Sequence, residues 1–198
     1  METGTGGRVS LRELQKSKSR AHFLEVAAGL IADRGYRGTT IDDIASAAGA
    51  SRATLYSYFP GKDEIVRAIV TQVWDAAEAL YADFGSLDEW SRDSIGGWVE
   101  RVVQAWEGSG SGLRVQSAGV VSFDDFYLDY HRRFIAALTA NTELWSRFDD
   151  DEAERRALLL ISGLELFLNT WMVRGFPLDR AGAVGTLTDS WCAILGVG

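Results

Sequence analysis

Proline is almost missing from this 198-residue chain: Pro60 and Pro177 are the only two. Interior prolines break helices, so such scarcity suits a helix-rich protein. There is one cysteine, Cys192, which excludes an internal disulfide framework and any multi-cysteine metal site. With only His22 and His131 beside it, a zinc cluster built by the protein is not expected either. No apolar run in the sequence approaches the roughly 18–20 uninterrupted residues of a membrane span. The N-terminus has basic residues but no apolar segment or small-residue cleavage site after them. A location in the reducing cytoplasm is the expectation.

Hydrophobic residues make up 46% and charged residues 24%, the profile of a globular rather than a disordered chain. The net charge is −8, but it is unevenly spread. Up to Phe59 there are 8 Lys+Arg against 6 Asp+Glu; from Pro60 onward there are 12 against 22. The front is mildly basic and the rest strongly acidic, which could orient the basic end toward a polyanion. Ordinary surface solvation accounts for the same distribution.

Residues 1–16 carry no sustained apolar stripe and read as a flexible basic tail. From Ser17 to Asp33, Phe23, Leu24, Ala27, Ala28 and Ile31 recur at helical spacing, and Gly35 supplies a stop. Thr40-Ile41-Asp42-Asp43 reads as a capping box opening a two-turn helix with Ile44, Ala45 and Ala48 on its apolar face. Gly49 supplies the left-handed residue of a sharp turn, and Ser51 caps a second helix carrying Arg52 to Tyr58. Helix, short helix, tight turn, helix within about forty residues is the pattern of a helix-turn-helix whose last helix enters a major groove.

The residues Gly35-Tyr36, Thr39-Thr40-Ile41, Ile44-Ala45, Ala48-Gly49-Ala50-Ser51, Thr54 to Phe59 and Lys62 resemble the DNA-binding domain of the TetR family of transcriptional regulators over about residues 17–66. Ala50 departs from the family's usual valine. By position, the resemblance assigns DNA contacts to Thr40, Ser51, Arg52, Thr54, Tyr56, Ser57, Tyr58 and Lys62. Thr40, Tyr56, Tyr58 and Lys62 are phosphate contacts by chemistry, whereas Arg52 and Thr54 are placed to reach base edges. Phe59 reads as core.

From Lys62 onward the periodicity stays helical, with segments at about Leu87–Glu107, Leu113–Val121, Phe123–Phe148, Glu152–Gly175 and Leu178–Leu195. The expected fold is all-α. A three-helix helix-turn-helix domain (residues 17–61) precedes a larger helical domain (62–198) for ligand binding and dimerisation. All seven tryptophans fall in the larger part. Aromatic stripes at Trp98, Val102 and Trp106, and at Phe123, Phe126, Tyr127, Tyr130 and Phe134, are usually core, but in the family this domain houses an inducer. Trp98, Val102, Trp106, Phe126, Tyr130 and Asn169 are the candidate lining residues for a small apolar or aromatic ligand. The last two helices hold more apolar surface than one face needs, with Gly163, Gly182 and Gly185 permitting close approach. In the family these helices form a four-helix dimer interface. Two heads about 34–36 Å apart would then read a palindromic operator in double-stranded DNA.

The acidic run Asp149 to Glu154 reads as a helix cap rather than a cation site. The Gly108–Gly112 run lacks the context of a phosphate cradle, and Asp42, Asp43, His22 and His131 fit structural roles. No cofactor, metal or catalytic constellation is proposed. The resulting expectation is a repressor released by its ligand. The alternatives are an activator or ligand-independent regulator of the same fold, or a small-molecule carrier or enzyme.

Overall fold

The computed structural model describes residues 10–118 and 124–198, and they fold into helices connected by short turns with no strand among them. The chain forms two compact units, one up to Ile69 and one from Val70. The division falls inside a long helix rather than at the helix start near residue 62.

In the first unit, α1 (Leu11–Arg34) buries Phe23, Leu24, Ala27, Ala28 and Ile31, the stripe read from the sequence. It begins earlier than the apolar pattern does. Ser10 and Glu13 form a reciprocal capping box, so residues 11–16 are helix and not tail. Leu11 is 86% exposed, so this extra turn buries nothing and leaves no periodic signal. The part of the expected tail at residues 1–9 lies outside the described residues. Gly35 ends α1 at φ 75° with its N–H on the Ile31 carbonyl. Next come α2 (Ile41–Ala47) and α3 (Arg52–Tyr56), and then the opening turns of α4 (Lys62–Gly85). Ile44, Leu55, Phe59 and Ile65 are fully buried or nearly so and form the small core with the α1 stripe.

The second unit takes the rest of α4 with α5 (Arg92–Gly108), α6 (Gly110–Ser117), α7 (Asp124–Leu138), α8 (Thr142–Trp145), α9 (Asp150–Leu168) and α10 (Arg180–Leu195). Three expected boundaries move. The helix expected from Leu87 starts at Arg92, where Ser91 and Ser94 make a capping box. The glycine-serine run at 108–112 is interrupted only at Ser109, because helical hydrogen bonding resumes at Gly110. The long segment expected to reach Phe148 breaks after Leu138, and Asn141 caps the short α8 by accepting from the Leu144 N–H. Phe123 of the aromatic stripe lies outside the described residues. Asp149 caps α9 through the Glu152 N–H at 2.7 Å, the capping role read for the acidic run. After Leu168 the helix continues for one π turn, Asn169–Val173.

The core of this unit is aromatic. Trp98 is fully buried, 4.4 Å from the Trp191 ring and 5.0 Å from Phe84, and its indole N–H donates to the Leu80 carbonyl at 2.7 Å. Gly85 lies against the end of α7; a Cβ there would stand 2.2 Å from the Ala137 carbonyl oxygen. One stretch, Asp150–Val173, is long and apolar enough by composition to cross a membrane, with a mean hydropathy of 1.3 over its best 18 residues. Glu165 interrupts its apolar run. Its apolar side chains divide instead: Leu160, Ile161, Leu164 and Leu168 are buried, while Leu158, Leu159 and Leu166 are exposed.

Candidate nucleic-acid interface and ligand cavity

The first candidate site is the outer surface of α2, its turn and α3. Thr40 and Asp43 cap α2 reciprocally, and Asp43 holds its carboxylate pKa below the ordinary range through the Thr40 hydroxyl and N–H. Gly49 turns the chain at φ 66°, and the Ala50 N–H closes the turn on the Ala45 carbonyl at 2.9 Å. Ser51 then caps α3 through the Thr54 N–H. With its connections fixed in this way, α3 buries only Leu55 and leaves Ser51, Arg52, Thr54, Tyr56 and Ser57 exposed on one rigid element.

These exposed groups are already engaged with one another. Arg52 pairs with Asp42 at 3.2 Å, donates to the Tyr56 hydroxyl at 3.4 Å and sits 5.5 Å from that ring's centroid. Ser51 and Thr54 share a hydroxyl contact of 2.8 Å, and Ser57 donates to the Thr54 carbonyl. Tyr58 is half-buried, packed edge-on against Phe23 at 5.1 Å. Phe59 is core, as its place in the pattern implies.

Two of the expected phosphate contacts have other partners. Thr40 directs both its hydroxyl proton and its N–H at Asp43, so it meets a phosphate only by giving up its cap. Lys62 donates to the carbonyls of Tyr36 and Thr39 at 2.6 and 2.7 Å and lies over the Tyr36 ring. Its ammonium therefore ties the α1–α2 connection to the start of α4.

The second candidate site is a cavity of about 310 Å³ within the second unit. Its walls are largely apolar and aromatic, with Trp74, Leu80, Tyr81, Trp106, Leu113 and Tyr127 prominent. Gln116, Ser117, Glu165 and Asn169 supply polar groups, and Asn169 donates to the Ser117 hydroxyl. Of the six residues expected to line a ligand site, Val102, Trp106 and Asn169 do so. The other three do not. Trp98 is in the aromatic core, Phe126 is 42% exposed, and Tyr130 is buried with its hydroxyl on Asp75 at 3.0 Å.

The sequence reading missed Glu165 and the role of its neighbour. His131 is buried, its Nδ1 2.9 Å from the Tyr127 carbonyl and its Nε2 3.4 Å from Glu165 Oε2, off the line of a hydrogen bond. Both ring nitrogens face oxygen acceptors, an arrangement that suits the doubly protonated imidazolium. Burial pulls the His131 pKa down, but Glu165 and the Tyr127 carbonyl outweigh it and the net direction is upward from 6.5. A raised folded-state pKa contributes stability that is complete below the unfolded value and lost as pH rises through the folded one. The wild-type protein should therefore lose thermal stability as pH climbs from about 6.5 toward 8, and His131→Gln should show a flatter profile over that interval. Calorimetric melting across that range checks this; parallel profiles for the two proteins would refute it. A glutamate inside Leu158 to Leu168, on the face shared by Ile161 and Leu168, was the available signal, since buried carboxylates need a reason.

Residues 23–69 match the model of "Bacterial regulatory proteins, tetR family". The transcriptional repressor KstR2 of Mycobacterium tuberculosis is 32% identical over 111 residues, covering 56% of this chain and 52% of that protein. The match thus spans about half the length of that relative. The transcriptional activator FasR of Mycolicibacterium smegmatis is 24% identical over 191 residues, 94% of this chain and 87% of that protein. Among solved structures, a TetR-family regulator from Syntrophomonas wolfei superposes with a TM-score of 0.74 at 14% identity, over 92% of this chain and 97% of that one. Over residues 23–69 the chain is thus similar to the tetR family of bacterial regulatory proteins, and the relatives it matches are named as transcriptional regulators.

Proposed function

We propose that this chain is a homodimeric DNA-binding transcriptional regulator that docks α3 in the major groove and takes a small ligand in the cavity of its second unit. The observation that carries this is the exposed row on α3, presented by a turn held by side-chain caps and the positive φ of Gly49. Arg52 is the base reader. Its exposed pair with Asp42 contributes only about 0–1 kcal/mol, so exchange for a bidentate guanine contact of about 1–3 kcal/mol is favourable. Thr54 is the second base-edge candidate, and Tyr56, Ser57, Tyr58 and Ser51 hold the backbone. Lys62 acts chiefly by fixing the connection it bonds.

Dimerisation through α9 and α10 is supported by Leu159 and Leu166, exposed on the same side of α9 as Gly163. A Cβ at Gly163 or Gly185 would meet nothing within 4 Å, leaving both backbones open to a partner. Gly182 instead packs against its own cap, Asp179. Ligand binding releases DNA to the extent that it favours dimers whose heads no longer match the operator, and DNA weakens the ligand reciprocally. We assign the sign as repression, as for KstR2; FasR, named an activator, makes activation the second reading. Such a protein works where chromosomal DNA is, in the cytoplasm.

The test is selection of bound fragments from random double-stranded DNA, followed by variants at α3. Tyr56→Phe should weaken binding to selected and random DNA alike by several-fold. Arg52→Ala should lose about 1–3 kcal/mol on selected DNA and relax base preference at one position of each half-site. Equal losses of Arg52→Ala on both DNAs would end its base-reading role, and recovery of no fragment at low salt would end the regulator reading.

A further inference from the structure

Among the described residues that line the cavity, Glu165 is the one Asp or Glu, and none is a lysine or arginine. Residues 119–123 of the chain also contain neither. Arg174, which donates to Asn169 Oδ1 at 3.1 Å, is exposed and not part of the lining. The carboxylate is 27% exposed, enough to be reached from the cavity. His131 approaches only its Oε2, and no hydrogen bond from the described residues reaches Oε1. A carboxylate accepts several hydrogen bonds, so most of its capacity is open.

The rings around it are electron-rich faces. Trp74, Trp106 and Tyr127 line the same cavity. Burial first, and the Glu165 charge second, raise the pKa of the Tyr81 and Tyr127 hydroxyls, so both remain neutral phenols. A carboxylate set among aromatic faces attracts a cation through its charge and through the ring quadrupoles. An anionic ligand would meet like charge in a site of low dielectric, where the His131 imidazole is already turned to Glu165 and lies outside the cavity lining.

We infer that the cavity selects an organic cation, a molecule with an apolar body and an ammonium head seated against Glu165. This rests on the reading of the cavity as the ligand site. The cavity volume falls at the lower end of drug-sized pockets, which suits a single-chain or two-ring amine.

Three matched probes test it by isothermal titration calorimetry on the full-length protein: decyltrimethylammonium, decanol and decanoate, each below its micellar concentration. The cation should bind about tenfold or more tighter than decanol, with decanoate weakest. Glu165→Gln should bring the cation to the level of decanol while leaving decanol unchanged. His131→Gln, which removes the internal competitor for the carboxylate, should keep or strengthen the preference for the cation. Decanoate binding as tightly as the cation, binding of none of the three, or a cation preference that survives Glu165→Gln would each overturn the inference. The ranking of probes by the wild-type protein decides the matter even if a variant fails to fold. Release of selected DNA by decyltrimethylammonium is measured separately. Cation preference without release leaves the ligand class standing and removes the regulatory reading; release by decanoate alone does the opposite.

Discussion

Replacing Trp98 with alanine should destabilise the second unit by about 3–5 kcal/mol, the range for truncating a fully buried large aromatic. The ring has no exposed surface, touches Trp191, Phe84 and Tyr81, and anchors its N–H on the Leu80 carbonyl. Alanine removes that bond and opens a void among side chains that are themselves buried. Urea unfolding followed by circular dichroism measures the loss, and Trp98→Phe should fall between the two proteins. The outcome also separates two roles for this residue. A ligand-lining tryptophan would weaken probe binding at nearly unchanged stability, whereas a core one lowers the unfolding midpoint. A loss under about 1 kcal/mol would place the ring outside the core.

Gly85→Ala should be the most damaging of the conservative glycine changes. The added Cβ meets the Ala137 carbonyl oxygen at 2.2 Å and the Ala140 Cβ at 3.2 Å, and the first of these is backbone that cannot rotate away. Separating α4 from the end of α7 should destabilise the unit by about 1–3 kcal/mol, as overpacking does. Gly163→Ala is the informative contrast. Nothing in its own chain lies within 4 Å of the new methyl, and alanine favours a helix interior by about 0.5–1 kcal/mol. A gain in monomer stability with weakened dimerisation, read by analytical ultracentrifugation, is the result expected if α9 meets a second copy. Unchanged dimerisation would remove Gly163 from the interface, and a harmless Gly85→Ala would mean that α4 and α7 have slack between them.

The sequence was most legible where local chemistry decides the structure. Thr40, Asp43, Gly49 and Ser51 each declare a cap or turn within three or four residues, and each occupies that role. The start of α1 was missed for the opposite reason. Ser10 and Glu13 form a complete capping box, but the turn they open buries no apolar side chain, and periodicity is blind to it. The break after Leu138 was equally hidden, since Ile135, Leu138 and Trp145 continue an apolar rhythm across it.

The cavity was legible only by half. Trp98, Val102 and Trp106 share one stripe of α5, yet Trp98 faces the aromatic core while the other two reach the void. A stripe shows which side of a helix is inward; it does not show where opposing side chains fail to fill the space. That depends on partners from α4, α6 and α9, which are distant in sequence. The DNA-facing residues were identified by position, but their pairings were not. Asp42 on Arg52 joins α2 to α3 in a way that only three-dimensional placement reveals.

The π turn at Asn169–Val173 has a consequence for how this segment tolerates changes of length. A π turn holds one residue more than an α turn, which rotates everything after it by about 100° relative to an uninterrupted helix. Asn169, its first residue, stands in the cavity wall, so the surplus residue lies immediately beyond the last one that the cavity uses. A one-residue deletion within 170–173 would return the helix to ordinary winding and leave Asp150–Leu168 in register. A deletion upstream of Leu164 would turn Glu165 away from His131. A loss of one residue is therefore better accommodated at this turn than within α9.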